Sequence, residues 1–172
     1  PAHVPTLADA LDACAGMDVN VEIKNGAGEP DHDPHGAHLD AILAVLDDAI
    51  ARGRDACELL VSSFDRDTLV RVRARAPHLP TALLTFALDD PDEVLAHVRE
   101  HGHVALHPFD STVDAALVRR AHDAGLRVHV WTLDDPARLR SLVEMGVDGL
   151  CTNEPDVGRA VVDAALGGAG GR

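Results

Sequence analysis

Glu22 and Lys24 stand two residues apart in VNVEIK, residues 19–24, and side chains at that spacing share one face of a β-strand. An acid and a base side by side can belong to a reaction site, or they can neutralise each other as a buried ion pair. Both readings stay open on spacing alone. Directly behind this stretch, GEPDHDPHGAH carries Asp31, His32, Asp33, His35 and His38. His-x-x-His-x-x-His resembles a metal-binding tract, but no helix or strand fixes the ligands, so a solvated acidic loop is the default reading. His107 and His129 fall on strand patterns and read as hydrogen-bonded structural histidines. Ser62 and Ser63 lack both an activating His-Asp arrangement and a G-x-S-x-G turn, so neither reads as a nucleophile. The doublets Asp89-Asp90 and Asp134-Asp135 read as helix caps.

The elements that must position these residues repeat one plan. In VNVEIK the apolar Val19, Val21 and Ile23 alternate with Asn20, Glu22 and Lys24, which predicts a strand. Further strands are predicted in ELLVSSF, TALLTF, HVALHP, RVHVWTL and GLCTNEP, at 58–64, 81–86, 103–108, 127–133 and 149–155. Amphipathic helical patterns separate them, and Thr6 with Asp9 opens an initial helix, TLADALDAC. Asp90-Pro91 and Asp135-Pro136 place a cap acceptor before a proline at the first helical position. Gly102, Gly125 and Gly146 sit where helices end on a left-handed residue. Strands alternating with helices mean successive βα units and a parallel sheet.

An open doubly wound sheet and a closed (β/α)8 barrel both satisfy that pattern. The open sheet calls for a glycine-rich phosphate turn after its first strand, and none is present. In a barrel, the apolar side of VNVEIK packs on helices, which turns Asn20, Glu22 and Lys24 inward. Glu22 and Lys24 then lie near the C-terminal end of a strand, where such barrels keep their active sites. The six strand candidates fit an α/β, (β/α)8 TIM-barrel type fold that is two strands short. Residues 1–166 read as one partial barrel domain and 167–172 as a flexible Gly-rich tail.

Composition narrows the partners. A net charge of −14 argues against nucleic acid and anionic membrane surfaces, and no apolar run is long enough for stable membrane insertion. Cys14, Cys57 and Cys151 are odd in number and widely spaced, as expected of reduced thiols packed in a core. A cytoplasmic location is the expectation, and because the sequence begins at Pro1 without an initiator Met, secretion is left open.

VPTLADALDAC, VNVEIK, ELLVSSFD, ALHPFDSTVDAALVRRAHDAGLRVHVWTLDD and GVDGLCTNEPD together resemble the glycerophosphodiester phosphodiesterase family, from Val4 to about Asp156. The resemblance implies a (β/α)8 barrel that hydrolyses glycerophosphodiesters to glycerol 3-phosphate and an alcohol with a divalent cation, Mg²⁺ or Ca²⁺. Carried over position by position, it makes Glu22 a metal ligand and Lys24 a catalytic contact to a phosphate oxygen. Trp131 and Phe64 become substrate-binding aromatics. The family's opening strand ending in His-Arg-Gly, its Pro-Glu-Asn-Thr turn and its second strand bearing Glu-x-Asp with a nearby His-Asp pair are not found in this sequence, so the resemblance makes the six strand candidates strands three to eight of the barrel. Those segments hold the acid–base histidines and two further metal carboxylates. The chain alone is therefore expected to be inactive, either as part of an enzyme or as a non-catalytic remnant barrel that binds or supports. Another chain or a swapped copy is expected to complete the barrel.

Overall fold

The computed structural model describes residues 4–30 and 32–167; Asp31 and all of the predicted tail except Gly167 lie outside them. The strands are β1 (Val19–Glu22), β2 (Leu59–Ser63), β3 (Thr81–Thr85), β4 (Ala105–Pro108), β5 (Arg127–Val130) and β6 (Gly149–Leu150). The helices are α1 (Leu7–Ala13), α2 (Ala37–Ala51), α3 (Arg66–Arg75), α4 (Pro91–Glu100), α5 (Ala115–Asp123), α6 (Pro136–Met145) and α7 (Pro155–Gly167). Strand order follows chain order, β1-β2-β3-β4-β5-β6. Parallel neighbours joined through helices define the α/β, TIM-barrel type fold, represented among the described residues by six strands.

Two compact units divide the chain, Pro1–Leu83 and Leu84–Arg172. In the first, the predicted capping box forms: Thr6 Oγ1 accepts from Asp9 N at 3.1 Å, and Thr6 N donates to Asp9 Oδ2 at 3.1 Å. Ile23 packs into one apolar cluster with Leu11 of α1, Leu39, Leu43 and Leu46 of α2, and Val61 of β2. Val19 and Val21 pack against that cluster, so the apolar side of β1 does face helices. Each such buried side chain contributes about 1.5–3 kcal/mol, enough to fix which way the strand faces. Ile23 N donates to Ser62 O at 2.8 Å and Ser63 Oγ donates to Ile23 O at 2.7 Å, which extends the β1–β2 pairing past Glu22. Gly36 begins α2 at φ 82°, and a Cβ there would stand 2.9 Å from Arg75 Nη1. The left-handed dihedral is what calls for glycine there, since the guanidinium ends a flexible side chain and can move aside.

In the second unit the helix starts obey their caps. Asp90 accepts from the amides of Asp92 and Glu93, Asp114 from Leu117, and Asp135 from Ala137 and Arg138. Gly102, Gly125 and Gly146 all have positive φ, as the helix ends require. Two boundaries differ from the sequence expectation. The helical pattern DSTVDAALVRRAHDAG follows HVALHP in the sequence, but the helix itself starts at Ala115. Asp110–Thr112 form a 3-10 turn held by Arg138, whose guanidinium donates to Asp110 Oδ1, Asp110 O and Val113 O. Strand β6 is two residues long, because the segment after Leu150 turns to meet Leu133 and Asp134 instead of continuing a ladder.

Candidate active site

Alternation along β1 leaves Asn20, Glu22 and Lys24 exposed on the face opposite the helix-packed core. No ion pair joins Glu22 to Lys24 among the described residues, and both are solvent-exposed, so the buried-pair reading is excluded. They line a cleft of about 410 Å³ with Asn25, Asp33, His38 and Thr68. Asn25 organises its floor: its Nδ2 donates to Thr68 Oγ1 at 3.0 Å and to Asp33 O at 3.1 Å, and its Oδ1 accepts from Asp33 N at 2.7 Å. The loop behind VNVEIK is thereby tied to the start of α3. Sequence reading passed over Asn25, whose only signal was an amide directly after the strand's lysine.

Asp33 has a defined task in that loop. Its carboxylate accepts from the amides of His35 at 3.0 Å, Gly36 at 2.9 Å and His38 at 2.7 Å, capping the first turn of α2. The His38 amide bond contributes most to holding its pKa down, to about 2. His32, His35 and His38 are exposed, and no group of three or more His, Cys, Asp or Glu is placed to hold a metal among the described residues. The donor set around Glu22 therefore does not by itself fit a divalent cation, which takes six or more oxygens. Phe64 is partly buried where β2 ends, next to the α3 cap Asp65. Ser62 is fully buried in register with Glu22, and its Oγ has no hydrogen-bond partner among the described residues.

In the second unit, Trp131 directly follows β5. Its indole Nε1 donates to His107 O at 2.8 Å. Phe86 meets the ring edge-on at a centroid distance of 5.0 Å, and Phe109 lies 5.1 Å away. Phe86 follows β3 and Phe109 follows β4, so three strand ends build one aromatic cluster at their C-terminal side. Phe86 is 65% exposed, which suits a surface that meets a ligand more than a core ring. Neither phenylalanine was singled out from the sequence. The available signal was that Phe64, Phe86, Phe109 and Trp131 are the chain's only Phe, Trp or Tyr residues, and each lies in or directly after the C-terminal half of a strand pattern.

His107 of β4 and His129 of β5 stack with ring centroids 4.7 Å apart. His107 is 5% exposed, and its Nε2 has no hydrogen-bond partner among the described residues, which corrects the expectation of a satisfied structural histidine. Burial first, then the neighbouring His129 and Arg127, lowers its pKa to about 3. His129 is lowered by burial and Arg127, against the opposing pull of Asp148. A Cβ on Gly149 would stand 2.8 Å from His129 Cγ, so the stack depends on that glycine. The thiols are free, but Cys57 and Cys151 are exposed and Cys14 half-buried, so they are not core residues as expected. Asp134 is no helix cap either; it binds Thr152 and Asn153. No helix is long and apolar enough to cross a membrane among the described residues.

Comparison with known proteins gives this geometry a family. The glycerophosphoryl diester phosphodiesterase family matches residues 1–157, and the chain belongs to it. A glycerophosphodiester phosphodiesterase of Caldanaerobacter subterraneus subsp. tengcongensis is 28% identical over 90% of this chain and 60% of its own length. The crystal structure of a candidate glycerophosphoryl diester phosphodiesterase from Silicibacter pomeroyi is 33% identical, with a TM-score of 0.79 over 96% of this chain and 58% of that one. An Oleispira antarctica phosphodiesterase in complex with the product sn-glycerol-3-phosphate shares the fold, with a TM-score of 0.78 and 24% identity over 92% of this chain and 61% of that one. The chain thus spans about 60% of the length of the relatives it matches.

Proposed function

We propose that this chain serves glycerophosphodiester hydrolysis, releasing glycerol 3-phosphate and an alcohol, as part of a barrel completed by residues outside these 172. Family membership over residues 1–157 carries the reading. Glu22 supplies one carboxylate to a divalent cation, Mg²⁺ or Ca²⁺, whose remaining ligands lie elsewhere. One carboxylate does not build that site, so no catalytic step is assigned to the cation from these residues. Lys24, on the same face, meets a phosphate oxygen as charge accumulates there. Trp131, with Phe86 and Phe109, and separately Phe64, offer apolar surface to the glycerol or the leaving alcohol. Proton transfer between attacking and leaving oxygens is assigned to none of these residues, and His107, buried with its pKa lowered to about 3, is a poor base for it.

The observation that no three-ligand group exists among the described residues supports a second reading, a non-catalytic barrel remnant that binds or supports another protein. Two measurements bear on the proposal, and the first separates the readings. The first is the sequence encoded ahead of Pro1: a typical barrel has about 250 residues, and His-Arg-Gly and Glu-x-Asp within about 90 residues upstream establish the enzyme. The second is glycerol 3-phosphate release from a deacylated phospholipid. The 172-residue chain alone should release none, with or without added Mg²⁺ or Ca²⁺. Turnover by the chain alone would reject the proposal that catalytic groups lie elsewhere.

A further inference from the structure

Asp134 is exposed, belongs to no helix cap, and is hydrogen-bonded three times to another loop. Its Oδ1 accepts from Thr152 Oγ1 at 2.9 Å and from Asn153 N at 2.8 Å, and its Oδ2 accepts from Asn153 Nδ2 at 2.9 Å. All three donors lie in the loop between β6 and α7. That loop is itself fixed: Thr152 Oγ1 accepts from Glu154 N at 3.0 Å, and a Cβ on Gly158 of α7 would already stand 3.0 Å from Thr152 Cγ2. Three residues before Asp134 comes Trp131. Its backbone is held from the other side, since Asp110 N donates to Trp131 O at 2.9 Å. Between them, Leu133 N donates to Cys151 O at 3.0 Å. The segment 131–134 is thus strung between two anchors, and Asp134 is the side-chain anchor at its far end.

We infer that Asp134 is a positioning residue, whose side-chain hydrogen bonds hold the segment 131–134 on the β6–α7 loop and so set the seat of the Trp131 indole against Phe86 and Phe109. The inference concerns the seat of the ring. Its consequence for ligand binding rests on the reading of Trp131 as a substrate-facing aromatic, but its test does not.

The chemistry of the pair supplies the test. A carboxylate faces an amide across 2.9 Å, and the amide donates. Asn153→Asp sets two acceptor-only groups against each other at that distance, which drives the loops apart at neutral pH. Asp134→Asn alone is mild, because two facing amides can pair after one rotates. The double exchange Asp134→Asn with Asn153→Asp restores every bond with one polarity reversed. The introduced amide donates through its Nδ2 to the new carboxylate, and its Oδ1 still accepts from Thr152 and from the backbone amide of the following loop residue. Trp131 is the only tryptophan, so intrinsic fluorescence of the 172-residue chain reads its seat directly, without ligand or turnover. Expected at pH 7 is a red-shifted emission with easier acrylamide quenching for Asn153→Asp, a near wild-type spectrum for Asp134→Asn, and wild-type emission for the double exchange. Far-UV circular dichroism is recorded alongside. Should Asn153→Asp fail to fold, Thr152→Val is read in its place, with a smaller red shift expected. An unshifted spectrum in the folded single variant, or a double exchange as perturbed as the single, overturns the inference. If these spectra behave as expected while adding sn-glycerol 3-phosphate to the protein with its complete barrel leaves Trp131 emission unmoved, the seat assignment stands and the substrate-facing reading falls.

Discussion

At the scale of the residue, β1 shows how little sequence is needed to aim a functional group. Val19, Val21 and Ile23 pack on helices, so Glu22 and Lys24 face away from them, whatever lies beyond. Glu22→Gln keeps volume and removes charge. In the protein with its complete barrel it should cut turnover by more than the about 10–100-fold that losing a partner outside the ligand shell costs. Hydrolysis near the wild-type rate would remove Glu22 from the metal. His107 gives a second test. In an unfolded chain its pKa is about 6.5, and in the fold it is about 3. Between those values the unfolded state binds a proton that the native state refuses. Stability therefore falls as pH drops from about 6.5 towards 3, by up to about 1.4 kcal/mol per pH unit. His107→Leu removes both the titrating ring and an unpartnered buried Nε2. Urea unfolding of that variant should show a flatter stability profile across this window and no loss at pH 7. A profile as steep as that of the wild type would place the acid sensitivity elsewhere.

Among the elements, the order of strands and helices was legible because each leaves a local mark: a period of two, an Asp-Pro cap, a glycine beyond the last turn. What escaped was set by contacts distant in sequence. β6 stops at Leu150 because Cys151–Asn153 meet Leu133 and Asp134, and α5 starts late because Arg138 draws the carbonyls of Asp110 and Val113 into a turn. The aromatic cluster needed three strand ends to be neighbours, which no single stretch reveals. The start of α2 was also hidden, since its cap is Asp33, three residues before the left-handed Gly36. Replacing Asp33 with Ala should speed hydrogen exchange at the amides of His35, Gly36 and His38 while leaving the second half of α2 protected. Because the folded pKa of Asp33 is about 2, against about 3.9 unfolded, its bonds stabilise the fold fully above about pH 4. That contribution is lost as pH falls through about 2. Exchange at those three amides that accelerates already between pH 6 and 5 would contradict this cap.

For the whole molecule, the decisive feature is the end of the strand order. Among the described residues β1 pairs with β2 alone, and β6 with β5 alone. A closed barrel has no such edges. Helix α1 packs on α2, where Arg54 donates to Leu11 O at 2.7 Å, Cys14 O at 3.0 Å and Met17 O at 3.0 Å. Asn20 stays exposed on β1. Ile23 N points to β2, so by alternation the amides of Asn20 and Glu22 point outward, away from it. An outward row of donors recruits another strand, either from residues beyond this chain or from a second copy. The isolated 172 residues should therefore associate as concentration rises, and light scattering should give masses above the 18.2 kDa of one chain. Asn20→Pro removes one outward donor and leaves the β1–β2 ladder intact, because that amide takes no part in it. The variant should fold with unchanged circular dichroism and associate more weakly. If the wild-type chain stays monomeric to high concentration, or if Asn20→Pro unfolds it, the outer edge of β1 is not an open docking edge. The completion of the barrel would then have to be sought at β6.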